Sequence, residues 1–157
     1  GKDEADLAGK IVRNTPTVEN WVGRCGWRGV ADVLSGCHAY IGNDTGISHL
    51  ASLVVPKCLV ILGGGTFRRF FPWPEAQNQY LIFHGLPCFD CDWECQYNER
   101  PCLMRIHPSE VMSYFESVVG GTAASELDLN PVNEDYRLSW RRTPGSGRQT
   151  VRSGVTG

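Results

Sequence analysis

The sequence has no long apolar run, no leader-type start and no surplus of positive charge, and each absence removes a class of function. No stretch approaches the ~20 consecutive apolar residues that a helix needs to cross a bilayer. The chain opens Gly1-Lys2-Asp3-Glu4, without the cationic and apolar regions of a secretory leader. It also has no initiator Met, so it reads as a piece of something longer. Fifteen Lys and Arg stand against seventeen Asp and Glu, a formal net charge of −2. The basic footprint of a nucleic-acid-binding surface, or of a binder of anionic membranes, is therefore missing. There is no internal repeat.

What is present is enough for about one domain: 157 residues, 41% of them apolar. Cysteine is plentiful, at seven. An odd total without a leader argues against a plain disulfide framework and for a reducing cytoplasm. Residues 3–12 carry Leu7, Ala8 and Ile11 at helical spacing, with Asp3 or Glu4 at the start. Residues 18–22 alternate loosely, as a short strand does. Residues 27–34 place Trp27, Val30, Ala31 and Leu34 on one helical face. A strand at 39–42 leads to a helix at 47–54 that Pro56 stops. Residues 58–62, Cys-Leu-Val-Ile-Leu, form a continuous apolar run, as in a strand buried on both faces. Another strand reads at 80–83, and a last helix opens at Pro108 and runs through Val118. Strands alternating with helices predict an α/β fold, a Rossmann-like parallel sheet with flanking helices. From Gly120 the composition turns polar, although Leu138 and Trp140 could dock locally. Residues 1–119 are thus read as the domain, and 120–157 as a polar tail, a linker or disordered.

The chain is organised around Gly42-Asn43-Asp44-Thr45-Gly46-Ile47-Ser48-His49. Asp44 or Thr45 can cap the helix that follows. The glycines let the backbone turn tightly and let a ligand approach. The open N–H groups and the positive helix end suit a phosphate, and His49 in the first helical turn faces the same mouth. Turns at 23–26 and 63–66 are expected to join it on one edge of the sheet, the edge where open α/β sheets bind ligands. Arg24 in the first can pair with a phosphate in bidentate fashion. Gly63-Gly64-Gly65-Thr66 in the second reads as another backbone cradle. In the patch Arg68, Arg69, Phe70, Phe71, Trp73, the reading assigns packing to Phe70 and Trp73 and a phosphate contact to Arg69.

Taken together, Asn20-Trp21-Val22-Gly23-Arg24, Leu34-Ser35-Gly36-Cys37 and Ile41 through Ala51 resemble the C-terminal domain of the heptosyltransferase-like glycosyltransferases of family 9. The glycine turn, Arg69-Phe70-Phe71-Pro72 and the cysteine segment resemble one subgroup of it. The resemblance covers roughly residues 1–119. It implies a GT-B architecture of two Rossmann-like domains facing across a cleft, of which this chain is the nucleotide-sugar-binding half. It further implies that Asp44, Thr45, Gly46 and His49 form the donor-binding turn, with Arg24, Gly65 and Thr66 facing the donor. The catalytic base would belong to a missing N-terminal domain, so this chain alone would bind the donor and hardly turn it over. Asp3 or Glu4 lies near the position where the family grips the ribose with a carboxylate. The sequence departs from the family at Cys25, where Thr is common, and at Gly65, where Pro is common. The implied partners are a nucleotide-sugar donor, a saccharide acceptor (lipopolysaccharide or another glycan) and the absent domain. Peripheral membrane association through the full-length protein stays open, and no organic cofactor is implied.

The segment Cys88-x2-Cys91-x3-Cys95-x6-Cys102 has four soft ligands on a short loop. It suits a structural tetrahedral zinc or an iron–sulfur cluster. Two disulfides, or reduced thiols packed with Phe89 and Trp93, fit the same spacing. Two further function classes compete with a transferase domain. One is a non-catalytic nucleotide- or partner-binding module with a zinc-stapled loop. The other, a cysteine-rich nucleic-acid-binding domain, is disfavoured by the charge.

Overall fold

A computed structural model of the protein describes residues 4–15, 17–97 and 99–130. The readings at Asp3, Leu138 and Trp140, and those for the tail from 131 to 157, lie outside the described residues.

The helices are α1 (Ala5–Asn14), α2 (Trp27–Ser35), α3 (Gly46–Val54), the short α4 (Pro101–Met104) and α5 (Pro108–Gly120). The strands are β1 (Tyr40–Asn43), β2 (Cys58–Leu62), β3 (Gln79–Phe83) and β4 (Glu126–Asp128). They form one parallel sheet in the order β1-β2-β3-β4. Tyr40 stands opposite Cys58, Leu59 opposite Tyr80 and Leu81 opposite Glu126. This is the Rossmann-like α/β arrangement expected from the alternation of strands and helices.

The apolar run of β2 works by parity, because successive side chains leave opposite faces of a strand. Cys58, Val60 and Leu62 enter one core with Leu34 of α2 and Ala51 of α3. Leu59 enters the other with Ile82 and with Val111, Tyr114 and Val118 of α5. Burial raises the Cys58 thiol to about 12, so it is protonated packing rather than a reactive group. No helix joins β2 to β3. Phe67 and Phe71 from that connection fill the first core instead, with Phe67 4.9 Å from the Phe83 ring centre and 4.5 Å from that of Phe89.

Helix α5 is bounded by local chemistry. Pro108 occupies its first turn, and the Glu110 carboxylate accepts from the His107 N–H at 2.9 Å. Gly121 closes it at φ 77°, a left-handed geometry suited to glycine.

Two sequence expectations need correction. Residues 18–22 are not a strand. Asn20 Oδ1 accepts from the Val22 N–H at 2.9 Å, a local turn that competes with extended pairing. The domain also runs past 119 into the stretch read as a polar tail. β4 pairs with β3, and Leu127 and Leu129 pack on the second core. The Leu81 N–H donates to Ser125 O, the Leu129 N–H to Phe83 O, and the Gly85 N–H to Asp128 Oδ1 at 2.9 Å.

Candidate functional site

β1 ends at Asn43 and α3 begins at Gly46, so the polar turn lies beyond the carboxyl end of a parallel strand. Thr45 is the N-cap residue, at φ −144° and ψ 169°, but its side chain makes no capping bond. The turn is held from below instead. The Tyr40 ring crosses over Gly42, where an added Cβ would stand 2.1 Å from its hydroxyl. That hydroxyl pairs with Ser48 Oγ at 2.9 Å, and Ser48 Oγ donates to Asn43 O. Among the described residues nothing accepts from the first-turn N–H groups of Gly46 and Ile47. The opening of α3 therefore presents uncapped donors at a rigid turn.

His49 stands over this opening, held on three sides. Phe71, 1% exposed, stacks on the imidazole at 4.3 Å with an interplanar angle of 11°. Phe70 and Trp73 meet it edge-on at 6.4 and 5.8 Å. The Trp73 indole N–H donates to His49 Nδ1 at 3.0 Å. On the other side of the ring, Nε2 lies 3.5 Å from Asp44 Oδ1. Burial raises the Asp44 carboxyl above the ordinary carboxylate value, and His49 opposes part of that rise.

A cavity of about 570 Å³ adjoins the start of α3. Its walls include Trp21, Val22, Gly23, Trp27 and Ile47, with Glu4 at its edge. Gly46 faces the Trp27 ring, which would lie 3.0 Å from an added Cβ. A largely apolar cavity thus opens beside uncapped N–H donors. The 23–26 turn reaches the site as expected, although a loop carries it rather than a strand. Arg24 is exposed and does not line the cavity.

The glycine turn after β2 is engaged differently. Gly64 and Gly65 are buried, with the Phe89 and Trp93 rings standing where their Cβ atoms would be, at 2.6 and 2.2 Å. The Asp90 N–H donates to Gly64 O at 2.6 Å and the Asp92 N–H to Gly65 O at 2.9 Å. Arg69 pairs with Asp90 at 2.6 Å and with Asp92. The missing side chains make room for the cysteine-bearing loop. Gly65 is therefore covered, Arg69 is held by two carboxylates, and Thr66 is half-buried beside them.

A family model described as glycosyltransferase family 9 (heptosyltransferase) matches residues 1–97, more than half of the chain. The chain belongs to that family. Two curated relatives are lipooligosaccharide heptosyltransferase 2 proteins of Campylobacter jejuni. The serotype O:2 protein is 23% identical over 124 residues, which cover 76% of this chain and 39% of the relative. The serotype O:6 protein is 25% identical over 117 residues, covering 71% and 37%. The chain thus spans about two fifths of the length of these relatives. No solved structure matches it significantly.

Of the residues singled out for a family 9 donor turn, Asp44, Thr45, Gly46 and His49 come together, while Arg24, Gly65 and Thr66 do not join them. The four loop cysteines share one neighbourhood, since the Cys88 thiol is raised by burial and then by the Cys91, Cys102 and Cys95 sulfurs. Cys88, Cys91, Cys95 and Cys102 are free thiols. Among the described residues no group of three or more His, Cys, Asp or Glu side chains is placed to hold a metal ion. Four cysteines in one loop mark a shared neighbourhood, and ligation needs convergence of the sulfurs as well. Nor is any helix among the described residues long and apolar enough to cross a membrane. Sequence reasoning missed Tyr40, Ser48, Phe71 and the Trp73 contact. Tyr40 lies two positions before the quoted turn and Ser48 within it, so both were open to detection as its supports. Trp73 lies 24 positions from His49, and no periodicity connects the two.

The raised Asp44 carboxyl has a measurable consequence for this family 9 chain. The folded state keeps the Asp44 proton at pH values where the unfolded chain has lost it, so Asp44 costs stability as the pH rises through that window. Asp44→Asn is expected to raise the melting temperature at pH 7, with the gain shrinking as the pH falls toward about 4, the ordinary range of a carboxyl. Melting curves of both proteins across this range check it, and a constant gap between them speaks against the assignment.

Proposed function

We propose that this chain is the donor-binding domain of a glycosyltransferase that moves a sugar, with inversion, from a nucleotide-sugar to a saccharide acceptor of the lipopolysaccharide type. One observation carries the reading: a clamped histidine and an uncapped helix start open beside an aromatic-walled cavity at the carboxyl edge of a parallel sheet. The N–H groups of Gly46 and Ile47 and the α3 dipole suit the diphosphate. The cavity that Trp21 and Trp27 help to line suits the nucleoside, with Glu4 in the same lining to accept from ribose hydroxyls. His49 Nε2 suits a phosphate oxygen, where it would stabilise charge developing on the departing nucleoside diphosphate. Asp44 orients a sugar hydroxyl. In this reading the catalytic base comes from the part of the full-length protein outside this chain. The names of the relatives, lipooligosaccharide heptosyltransferases, support a heptose-like sugar and a lipid-linked glycan acceptor.

Calorimetric titration of the full-length protein with ADP, GDP, UDP and dTDP tests the reading. Saturable binding of one of them in clear preference to the rest is expected. Absence of binding by all four removes the donor-site assignment.

A further inference from the structure

We infer that Trp73 is a positioning residue that fixes the proton of His49 on Nε2, the nitrogen that faces the opening of α3. A neutral imidazole carries one N–H and one lone pair, and the partner of one nitrogen decides which is which. The Trp73 indole can only donate, and it donates to Nδ1 at 3.0 Å. Nδ1 therefore holds the lone pair, and the proton sits on Nε2, 3.5 Å from Asp44 Oδ1. The opposite tautomer would set an N–H against the indole N–H and turn a lone pair toward the ligand side, where it would repel an anionic oxygen.

The device is anchored at both ends. The Trp73 backbone N–H donates to Gln79 Oε1 at 2.8 Å, and Gln79 is buried at the start of β3. Phe71 stacks face-on against the ring at 4.3 Å, which restrains the imidazole from flipping and exchanging its nitrogens. The chain of contacts thus runs from the floor of the sheet through Trp73 to the proton on Nε2. Trp73 is 44% exposed, so its indole N–H is not needed to fill the core. The consequence for binding rests on the donor-site reading of His49, whereas the tautomer does not depend on it.

The test is nitrogen-detected NMR of the His49 ring in this chain and in Trp73→Phe, which keeps an aromatic ring and loses the N–H. The unaltered chain is expected to show one tautomer, protonated at Nε2, and Trp73→Phe a mixture. A second readout avoids altering Trp73: its indole N–H resonance is expected to shift in His49→Ala. An unchanged tautomer in Trp73→Phe, or an unmoved indole resonance in His49→Ala, overturns the inference. In the full-length protein, Trp73→Phe is expected to weaken the preferred nucleoside diphosphate by about three- to tenfold, the scale of one hydrogen bond made or lost. A tautomer shift without any change in affinity would leave the positioning intact and count against the donor-site reading.

Discussion

His49→Ala in the full-length protein is expected to weaken binding of the preferred nucleoside diphosphate by about ten- to hundredfold. The estimate follows from the charge of the acceptor. A hydrogen bond to an ionised group contributes about 1.5–3 kcal/mol, and each 1.4 kcal/mol is tenfold in affinity. The geometry favours the upper part of that range. The ring is already immobilised by Phe71, Phe70 and Trp73, so little rotamer entropy remains to be lost on binding. Its Nε2 lies beside Asp44, next to the uncapped start of α3, so in the proposed reading the two sets of donors address one anion. His49→Gln, which offers an amide N–H at similar reach, is expected to recover part of the loss. Calorimetry that finds the affinity of His49→Ala unchanged would sink the assignment of His49 to the donor.

The sheet was legible where one residue pattern has one good structural solution. A five-residue apolar run between Pro56 and three glycines leaves little but a strand buried on both faces, and β2 is that strand. The turn at Gly42–Gly46 was legible because polar residues between an apolar strand and a helical stripe mark the carboxyl edge of a parallel sheet. β4 was not. It is three residues long, Glu126–Asp128, and two of the three are acidic. Its stability comes from β3 and the second core, not from strand propensity.

The glycine turn shows a different limit. Removing three side chains opens space, and sequence alone does not say what fills it. A phosphate and an indole ring both need a bare backbone. Here Trp93 and Phe89 take the space, 24 or more positions away in a loop chosen by contacts that no local pattern reveals. The cysteine spacing shares this weakness. It specifies ligand chemistry, yet the convergence of four sulfurs is a tertiary property. The clamp on His49 is tertiary as well, since an aromatic-basic patch written for loop packing supplies the stacking ring, the edge-on rings and the indole donor.

Phe71→Ala is expected to destabilise the domain by about 3–5 kcal/mol, the usual cost of emptying a buried phenylalanine site. Phe71 is 1% exposed and belongs to the first core, together with side chains of α2, α3 and the sheet. The other members of that core stand mostly on helices and strands, whose backbones are fixed by their own hydrogen bonds, so the cavity has little means of collapsing. Domains of this size are stable by about 5–15 kcal/mol in total. The variant should therefore melt about 10 °C or more below the unaltered chain. Phe71→Leu separates packing from positioning. Leucine restores much of the buried volume and is expected to recover more than half of the lost stability. It offers no flat face to the imidazole, so nucleoside diphosphate binding should stay weakened while the melting temperature recovers. Equal recovery of both quantities would mean that Phe71 acts on the site through the core alone. A Phe71→Ala protein that melts within about 2 °C of the unaltered chain, well short of the shift expected for emptying a core site, would show that this ring is not part of the core.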